Sequence, residues 1–285
     1  MRLLAALLFA GSLQAATYVL TVAGLGGEPD YEQRFAAWAR DAAKTVPSET
    51  LTGADATRDR LRSALARIAQ AATPQDDFVL ILIGHGTFDG ADYKFNLPGP
   101  DISAAELAGS LDTIKAGRQL VVNTTSASGG SIDFLKRDNR VVITATRTGT
   151  EKNATVFARY WIEALRDPAA DKDKNEIITA REAFEYADQK TKRFYETQKR
   201  LATEHAQLVD AGGGMAGRFA LVRFGATEAA LRDPAKRDLL AKREELEAQI
   251  DKLKYEKAAL PTGEYKKQLA ALLLNLAKVQ AELDK

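Results

Sequence analysis

Two short apolar runs in this 285-residue chain end in side chains that can do chemistry. Phe78-Val-Leu-Ile-Leu-Ile-Gly-His85-Gly86 ends in an imidazole, and Gln119-Leu-Val-Val-Asn-Thr-Thr-Ser126-Ala-Ser-Gly-Gly130 ends in a hydroxyl. A hydroxyl beside an imidazole is the arrangement of nucleophilic acyl transfer. It requires the base within about 3.2 Å of the nucleophile and a third group that orients the base. No carboxylate is obviously placed to orient His85; Asp89 is the nearest in sequence. The chain has no cysteine, which excludes disulfides, thiolate metal sites and a thiol nucleophile. A nucleophile elbow of the form Gly-x-Ser-x-Gly is also excluded, because Ser126 stands where the first glycine would precede Ser128.

An apolar run that breaks into small residues is how a buried parallel strand delivers a side chain to the carboxyl edge of its sheet. The surrounding pattern supplies the remaining elements. A first strand, Tyr18 to Ala23, precedes Gly24-Leu-Gly-Gly27 and an amphipathic helix over Tyr31 to Lys44. A second helix spans Thr57 to Ala71, with Leu61, Leu65 and Ile68 on one face. A glycine-bearing loop through Pro98 and Pro100 leads to a third helix opened by Ser103 with Glu106 three residues on, a capping box. The Ser126 strand, a short helix and the strand Arg140 to Ala145 follow, and Phe219 to Phe224 is expected to join the same sheet late. A helical stretch over Ala154 to Glu204, broken by a loop at Asp167 to Thr179, lies between them, with His205 on a helix surface. Strands alternating with helices in this way imply an α/β fold with a mostly parallel central sheet covered on both faces.

This order of motifs resembles the caspase-like fold of caspases, legumain-type peptidases and gingipains, and the match is closest to the legumain side. Val22-Ala-Gly24 opens the first strand-loop as in those enzymes, and Gly84-His85-Gly86 matches their histidine motif. Thr124-Thr-Ser126-Ala-Ser-Gly129 aligns with a family segment reading Glu-Ala-Cys-x-Ser-Gly. The resemblance covers Tyr18 to Phe224 and implies a three-layer fold with a substrate cleft at His85 and Ser126. The departures matter as much. Ser126 stands at the cysteine position, Thr124 replaces the acidic residue that shapes the substrate pocket, and Gly26 aligns with the asparagine that supports the histidine. A thiol with a pKa near 8.5 becomes a thiolate in a modest positive field, whereas a serine hydroxyl needs a well-placed base. The expectation is a peptidase-family protein without its cysteine, acting as a binding or regulatory module on a peptide segment. The alternative is a hydrolase using Ser126 and His85.

Asp171-Lys-Asp173-Lys-Asn175-Glu-Ile177-Ile-Thr179-Ala-Arg-Glu182 reads as an EF-hand-like calcium loop. Asp171, Asp173, Asn175, Thr179 and Glu182 supply oxygens at positions one, three, five, nine and twelve, with the Ile177 carbonyl at seven. Glu176 departs from the usual glycine at position six, where a left-handed backbone costs about 1 kcal/mol or more. The same twelve residues also read as a solvated charged turn capped by Thr179.

Residues 1–16 carry Arg2, an apolar stretch from Leu3 to Phe9 and a small-residue exit, the pattern of an export signal. The α/β domain is expected over 17–230 and a helical hairpin over 235–285, placing the protein in the periplasm or outside the cell. In the hairpin, Leu239, Leu246, Ile250, Leu253 and Leu260 form one stripe. Pro261-Thr-Gly263 interrupts, and Tyr265, Leu269, Leu272, Leu276, Val279 and Leu283 form a coiled-coil seam. This arm either folds back on the domain or serves self-association as a scaffold. The net charge of +1 offers no electrostatic case for nucleic acid. No stretch reaches the ~20 apolar residues of a membrane span.

Overall fold

The computed structural model describes residues 15–211 and 213–285, so the expected export signal falls almost entirely outside the described residues. The chain runs β1 (Thr17–Ala23), α1 (Pro29–Thr45), β2 (Glu49–Leu51), α2 (Arg58–Ala71), β3 (Asp77–Ile83), β4 (Gly86–Phe88), β5 (Tyr93–Phe95), β6 (Ile102–Ser103) and α3 (Ala104–Asp112). It continues through β7 (Arg118–Asn123), α4 (Ile132–Leu135), β8 (Arg140–Thr144), α5 (Phe157–Ala164), β9 (Ile177–Thr179), α6 (Ala180–Thr197), β10 (Gln207–Asp210) and β11 (Ala220–Arg223). Helices α7 (Gly225–Arg232), α8 (Pro234–Tyr255) and α9 (Thr262–Leu283) complete it.

The central sheet has six strands in the order β10-β8-β7-β3-β1-β2. All neighbours are parallel except β10, which runs antiparallel to β8 with Val209 opposite Val142. Strands buried on both faces are apolar at every position, and β3 shows why. Val79, Ile81 and Ile83 enter one core with Phe35 of α1, Trp161 of α5 and Ala183 of α6. Phe78, Leu80 and Leu82 enter the other, with Leu61 and Leu65 of α2 and Leu107 of α3. The result is a helix–sheet–helix sandwich of three layers. Both hydrogen bonds of the Ser103–Glu106 capping box form at the start of α3.

The structure corrects several expectations. The segment after the His85 strand is not a plain loop: β4, β5 and β6 form a small antiparallel sheet. Helix α6 ends at Thr197, two residues before Lys199 turns left-handed, and an irregular segment carries the chain to β10. His205 therefore lies off any helix. The expected late strand does not join the central sheet, since β10 already occupies the edge beside β8. Asp210 then accepts a hydrogen bond from the Ala216 N–H (2.8 Å), across the left-handed Gly213 and Gly214, and the chain turns away. Strand β11 pairs with β9 instead, in a separate two-stranded sheet.

Helices α8 and α9 pack antiparallel, with Lys236 Nζ at the start of α8 donating to the Leu283 carbonyl at the end of α9 (2.7 Å). The apolar stripe of α8 is displaced from the expected one: Leu240 is buried and Leu239 only half-buried, followed by Leu246, Ile250 and Leu253. No described helix is long and apolar enough to cross a membrane.

Arg140 at the start of β8 is 1% exposed. Its guanidinium donates to Gln119 Oε1 (2.9 Å), the Leu135 carbonyl (2.7 Å) and Asp112 Oδ1 (2.9 Å). Asp112 is itself 39% exposed and shared with Arg137, so solvent screens the pair and removing this carboxylate costs about 1–2 kcal/mol. Asp112→Ala should lower the urea midpoint accordingly with an unchanged slope; Asp133→Ala, in an exposed pair with Lys136, should barely move it.

Candidate functional site

In the order β2-β1-β3 the connection from β1 runs to one side and the one from β2 crosses back to β3 on the other, which makes the carboxyl ends of β1 and β3 a topological switch point. In open α/β sheets this topological switch point is where ligands bind. His85 stands there, two residues beyond β3, and Gly24 to Gly26 follow β1. Gly24 must lack a side chain, because a Cβ would come within 2.4 Å of the Asn96 carbonyl oxygen. The Gly24 N–H donates to the Ile83 carbonyl and the Asn96 N–H to that of His85, fixing both strand exits.

The His85 ring packs edge-on against Tyr31 and Phe35 of α1, with centroids 4.8 and 5.2 Å away. Burial holds its pKa below the ordinary histidine value, opposed by a hydrogen bond to the Gly26 backbone and by the charge of Glu28. The imidazole is thus neutral at physiological pH. The orienting group is the backbone of Gly26 rather than a carboxylate, and that residue is fixed in turn. Its N–H donates to Glu32 Oε1 (2.8 Å), and a Cβ there would lie 2.5 Å from the Glu32 nitrogen. Asp89 plays no part; it accepts the Ala91 and Asp92 N–H groups in an exposed turn.

Ser126 is buried on the loop after β7, and its hydroxyl is committed. Oγ donates to the Gly86 carbonyl and accepts from the Gly86 N–H, both at 3.1 Å. Among the described residues no hydrogen bond joins it to His85. Gly86 permits this approach: a Cβ there would meet the Tyr93 ring at 2.5 Å and the Ser126 carbonyl at 2.6 Å. Behind the loop, Thr125 Oγ1 bonds the Tyr93 hydroxyl (2.6 Å) and Asn123 Oδ1 (2.8 Å). Thr124 Oγ1 turns inward to the Leu82 carbonyl (2.7 Å), so that residue offers nothing to a ligand. Ala127 adopts a left-handed conformation, φ 55°, with its N–H on the Glu151 carbonyl (2.8 Å).

Glu151 brings in a residue that sequence reasoning missed. Its carboxylate accepts from the His205 N–H (3.1 Å) and lies 2.7 Å from His205 Nδ1. The second histidine of the chain is thereby tied to the Ser126 loop, 79 residues away in sequence. Only the failure of helix periodicity after Thr197 could have hinted at it. Beside it, buried Glu204 accepts the Val156 and Phe157 N–H groups at the start of α5, and burial raises its pKa.

The EF-hand-like loop lies elsewhere, between α5 and α6. One carboxylate oxygen from each of Asp171, Asp173 and Glu182 falls within 4.8 Å of the others. The two remaining side-chain ligands are partly committed: Asn175 Oδ1 accepts the Ile177 N–H (2.9 Å), and Thr179 caps α6 in a box with Glu182. Ile177 lies on β9, paired with Arg223. Lys174 and Glu176 are both left-handed, at φ 64° and 65°. The strain at Glu176 is offset locally. Its carbonyl accepts from the Phe224 N–H and the Thr227 hydroxyl, and its carboxylate from the Thr227 N–H, capping α7. Burial and the neighbouring Glu182 and Asp171 push Asp173 up to about 6. Helix α8 adds Glu247, pushed up to about 7 chiefly by burial, whose carboxylate meets Asn175 Nδ2 (3.3 Å).

No protein-family model matches the chain, and no curated protein does. Among solved structures it is similar to protein GSU0716 of Geobacter sulfurreducens, at 13% identity and a TM-score of 0.46, over 69% of this chain and 93% of that one. It is also similar to Raptor of Chaetomium thermophilum, at 10% identity and a TM-score of 0.37, over 55% of this chain and 19% of that one.

A histidine with a depressed pKa binds its proton less tightly in the folded than in the unfolded state. Its contribution to stability is therefore present above about pH 6.5 and lost as pH falls through the folded value. NMR titration should place His85 below the ordinary histidine value, and His85→Gln should flatten that limb of the pH–stability curve. Titration at or above the ordinary value would show the ring to be solvated.

Proposed function

We propose that this chain is a caspase-like, legumain-related protein without peptidase activity, whose crevice at His85 and Ser126 holds an extended peptide segment. The observation that carries this reading is the pair of hydrogen bonds between the Ser126 hydroxyl and the Gly86 peptide. A serine nucleophile needs a base to take its proton, and this proton is given to a carbonyl that cannot keep it. The Gly86 N–H, the backbone donor on Ser126 Oγ, is consumed by the same contact. It cannot stabilise an oxyanion without breaking that bond. The neutral His85 ring, oriented by Gly26, instead offers a polar contact beside the 39%-exposed Leu25. A polar group flanked by apolar surface at a switch point suits a peptide.

Mass-spectrometric mapping of new termini tests this directly. The wild-type chain, incubated with unfolded proteins and calcium, should produce none. Ser126→Cys supplies a thiol with a pKa near 8.5 and is expected to gain cleavage that His85→Ala removes. Wild-type cleavage abolished by Ser126→Ala would replace this reading with a serine hydrolase.

The same proposal includes calcium at Asp171, Asp173 and Glu182, supported by the ligand spacing and by the closeness of three carboxylates. Raised carboxylate pKa values mean that stability is present below the unfolded values and lost as pH rises through about 6 for Asp173 and about 7 for Glu247. Millimolar calcium should cancel that loss, raising Tm by several degrees at pH 8 in wild type. Asp171→Ala and Glu182→Gln should not respond. An unchanged wild-type Tm and no calorimetric heat would remove calcium from the proposal.

Export belongs to the same proposal and rests on the sequence pattern of residues 1–16, a charged Arg2, an apolar stretch and a small-residue exit.

A further inference from the structure

We propose that the Arg200–Leu201 peptide bond is a processing site for an endopeptidase that cuts after paired basic residues. The chain carries five Lys-Arg pairs, so residue type alone does not say which one such an enzyme reaches. An endopeptidase pairs with an extended backbone, and a helical backbone has already given its N–H and C=O groups to itself. That removes Lys192-Arg193 in α6 and both Lys236-Arg237 and Lys242-Arg243 in α8. Lys136-Arg137 lies just past α4 and is held by its side chains. Lys136 Nζ donates to Asp133 Oδ1 (2.7 Å), and the Arg137 guanidinium donates to Asp112 Oδ2 (2.7 Å) and the Phe134 carbonyl (3.0 Å). Its backbone is also bridged to Arg140.

Lys199-Arg200 is the pair left open. Lys199 is left-handed at φ 51°, just past the end of α6, and residues 200–206 form neither helix nor strand. Both basic side chains are exposed, and among the described residues neither makes a hydrogen bond or an ion pair. The last backbone tie is the Arg200 N–H on the Tyr195 carbonyl (3.0 Å). Beyond it Leu201 is 92% exposed, and no hydrogen bond among the described residues ties the Leu201 or Ala202 backbone. Exposed irregular segments of this kind are where proteolytic nicking concentrates. Seating the pair requires only the last turn of α6 to fray, which costs little at a helix end.

The opening is also confined. The Tyr195 hydroxyl bonds Thr203 Oγ1 and Glu204 Oε1, both at 3.0 Å, so the free stretch closes again at Thr203. Glu204 in turn holds the start of α5. Hydrolysis adds water across one amide, leaving a carboxylate on Arg200 and an ammonium on Leu201. The two pieces stay together, because β10 pairs with β8 and β11 with β9 across the cut. The product is a nicked two-chain molecule rather than a separated hairpin.

Digestion of the full chain with a paired-base endopeptidase, followed by amino-terminal sequencing, should yield one new terminus, Leu-Ala-Thr-Glu-His. Trace trypsin, which accepts any lysine or arginine, should cut here at least about tenfold faster than after Arg137, whose guanidinium bonds must open first. The nicked chain should elute with the intact one in gel filtration. Lys199→Gln/Arg200→Gln should resist the paired-base enzyme with an unchanged circular dichroism spectrum. A first cut after Arg137 or within a helix overturns the inference, as does separation of the two pieces on nicking. Trypsin cutting here while the paired-base enzyme leaves the wild type intact overturns it too, reducing the segment to an adventitious weak point.

Discussion

The Ser126 hydroxyl closes on the peptide of Gly86 from both sides, and this contact sets the character of the sheet edge. It joins the exits of β3 and β7, neighbouring strands whose ends arise 40 residues apart in sequence. Gly86 accepts it only because there is no Cβ to strike Tyr93. The Tyr93, Thr125 and Asn123 network then holds the loop from behind, and Glu151 holds it from the far side through Ala127. The side-chain hydroxyls of the Ser126 loop are thus satisfied by neighbours, while the buried Asn96 Oδ1 at the β1 and β3 exits has no partner. Satisfied networks rigidify a site, and here the rigidity fixes the hydroxyl away from the imidazole.

His85 and the acidic loop show opposite electrostatic designs within one chain. The imidazole is kept neutral by aromatic burial and aimed by a backbone group, so it presents a polar edge without a charge. At the loop, Asp171, Asp173 and Glu182 crowd together and Glu247 reaches in from α8, which leaves carboxylates protonating far more readily than they would in water. The loop is also where the α/β domain and the hairpin meet. Arg243 of α8 donates to the Asn175 carbonyl, Arg223 of β11 pairs with Glu244, and Glu176 caps α7.

The parts of the fold that rest on local signals were legible in the sequence. The continuous apolar runs of β1, β3, β7 and β8 marked a buried parallel sheet, and Ser103 with Glu106 marked the start of α3. What failed was the choice of partner. Phe219 to Phe224 is more apolar than Gln207 to Asp210, yet the weaker segment took the sheet edge, because a turn held by Asp210 sends the stronger one elsewhere. His85 and Ser126 were found from their positions at strand ends. Their separation was not, because Ser126 is held by a backbone peptide, and backbone groups leave no trace in residue type. The Glu151–His205 pair was invisible for a similar reason: its 54-residue span reflects how α5, α6 and β10 wrap the sheet, not any local pattern.

The sheet's two borders carry a further consequence. One is β2, of three residues, and the other is β10, of four. An exposed border strand is a template on which a foreign strand can add, the first step toward amyloid-like stacking, and short borders blunt it. This sheet, built from long hydrophobic strands within, is therefore terminated at both sides before it can propagate. Fibrous growth by backbone pairing has little to start from, and the helical surfaces are left as the places where this molecule can meet another.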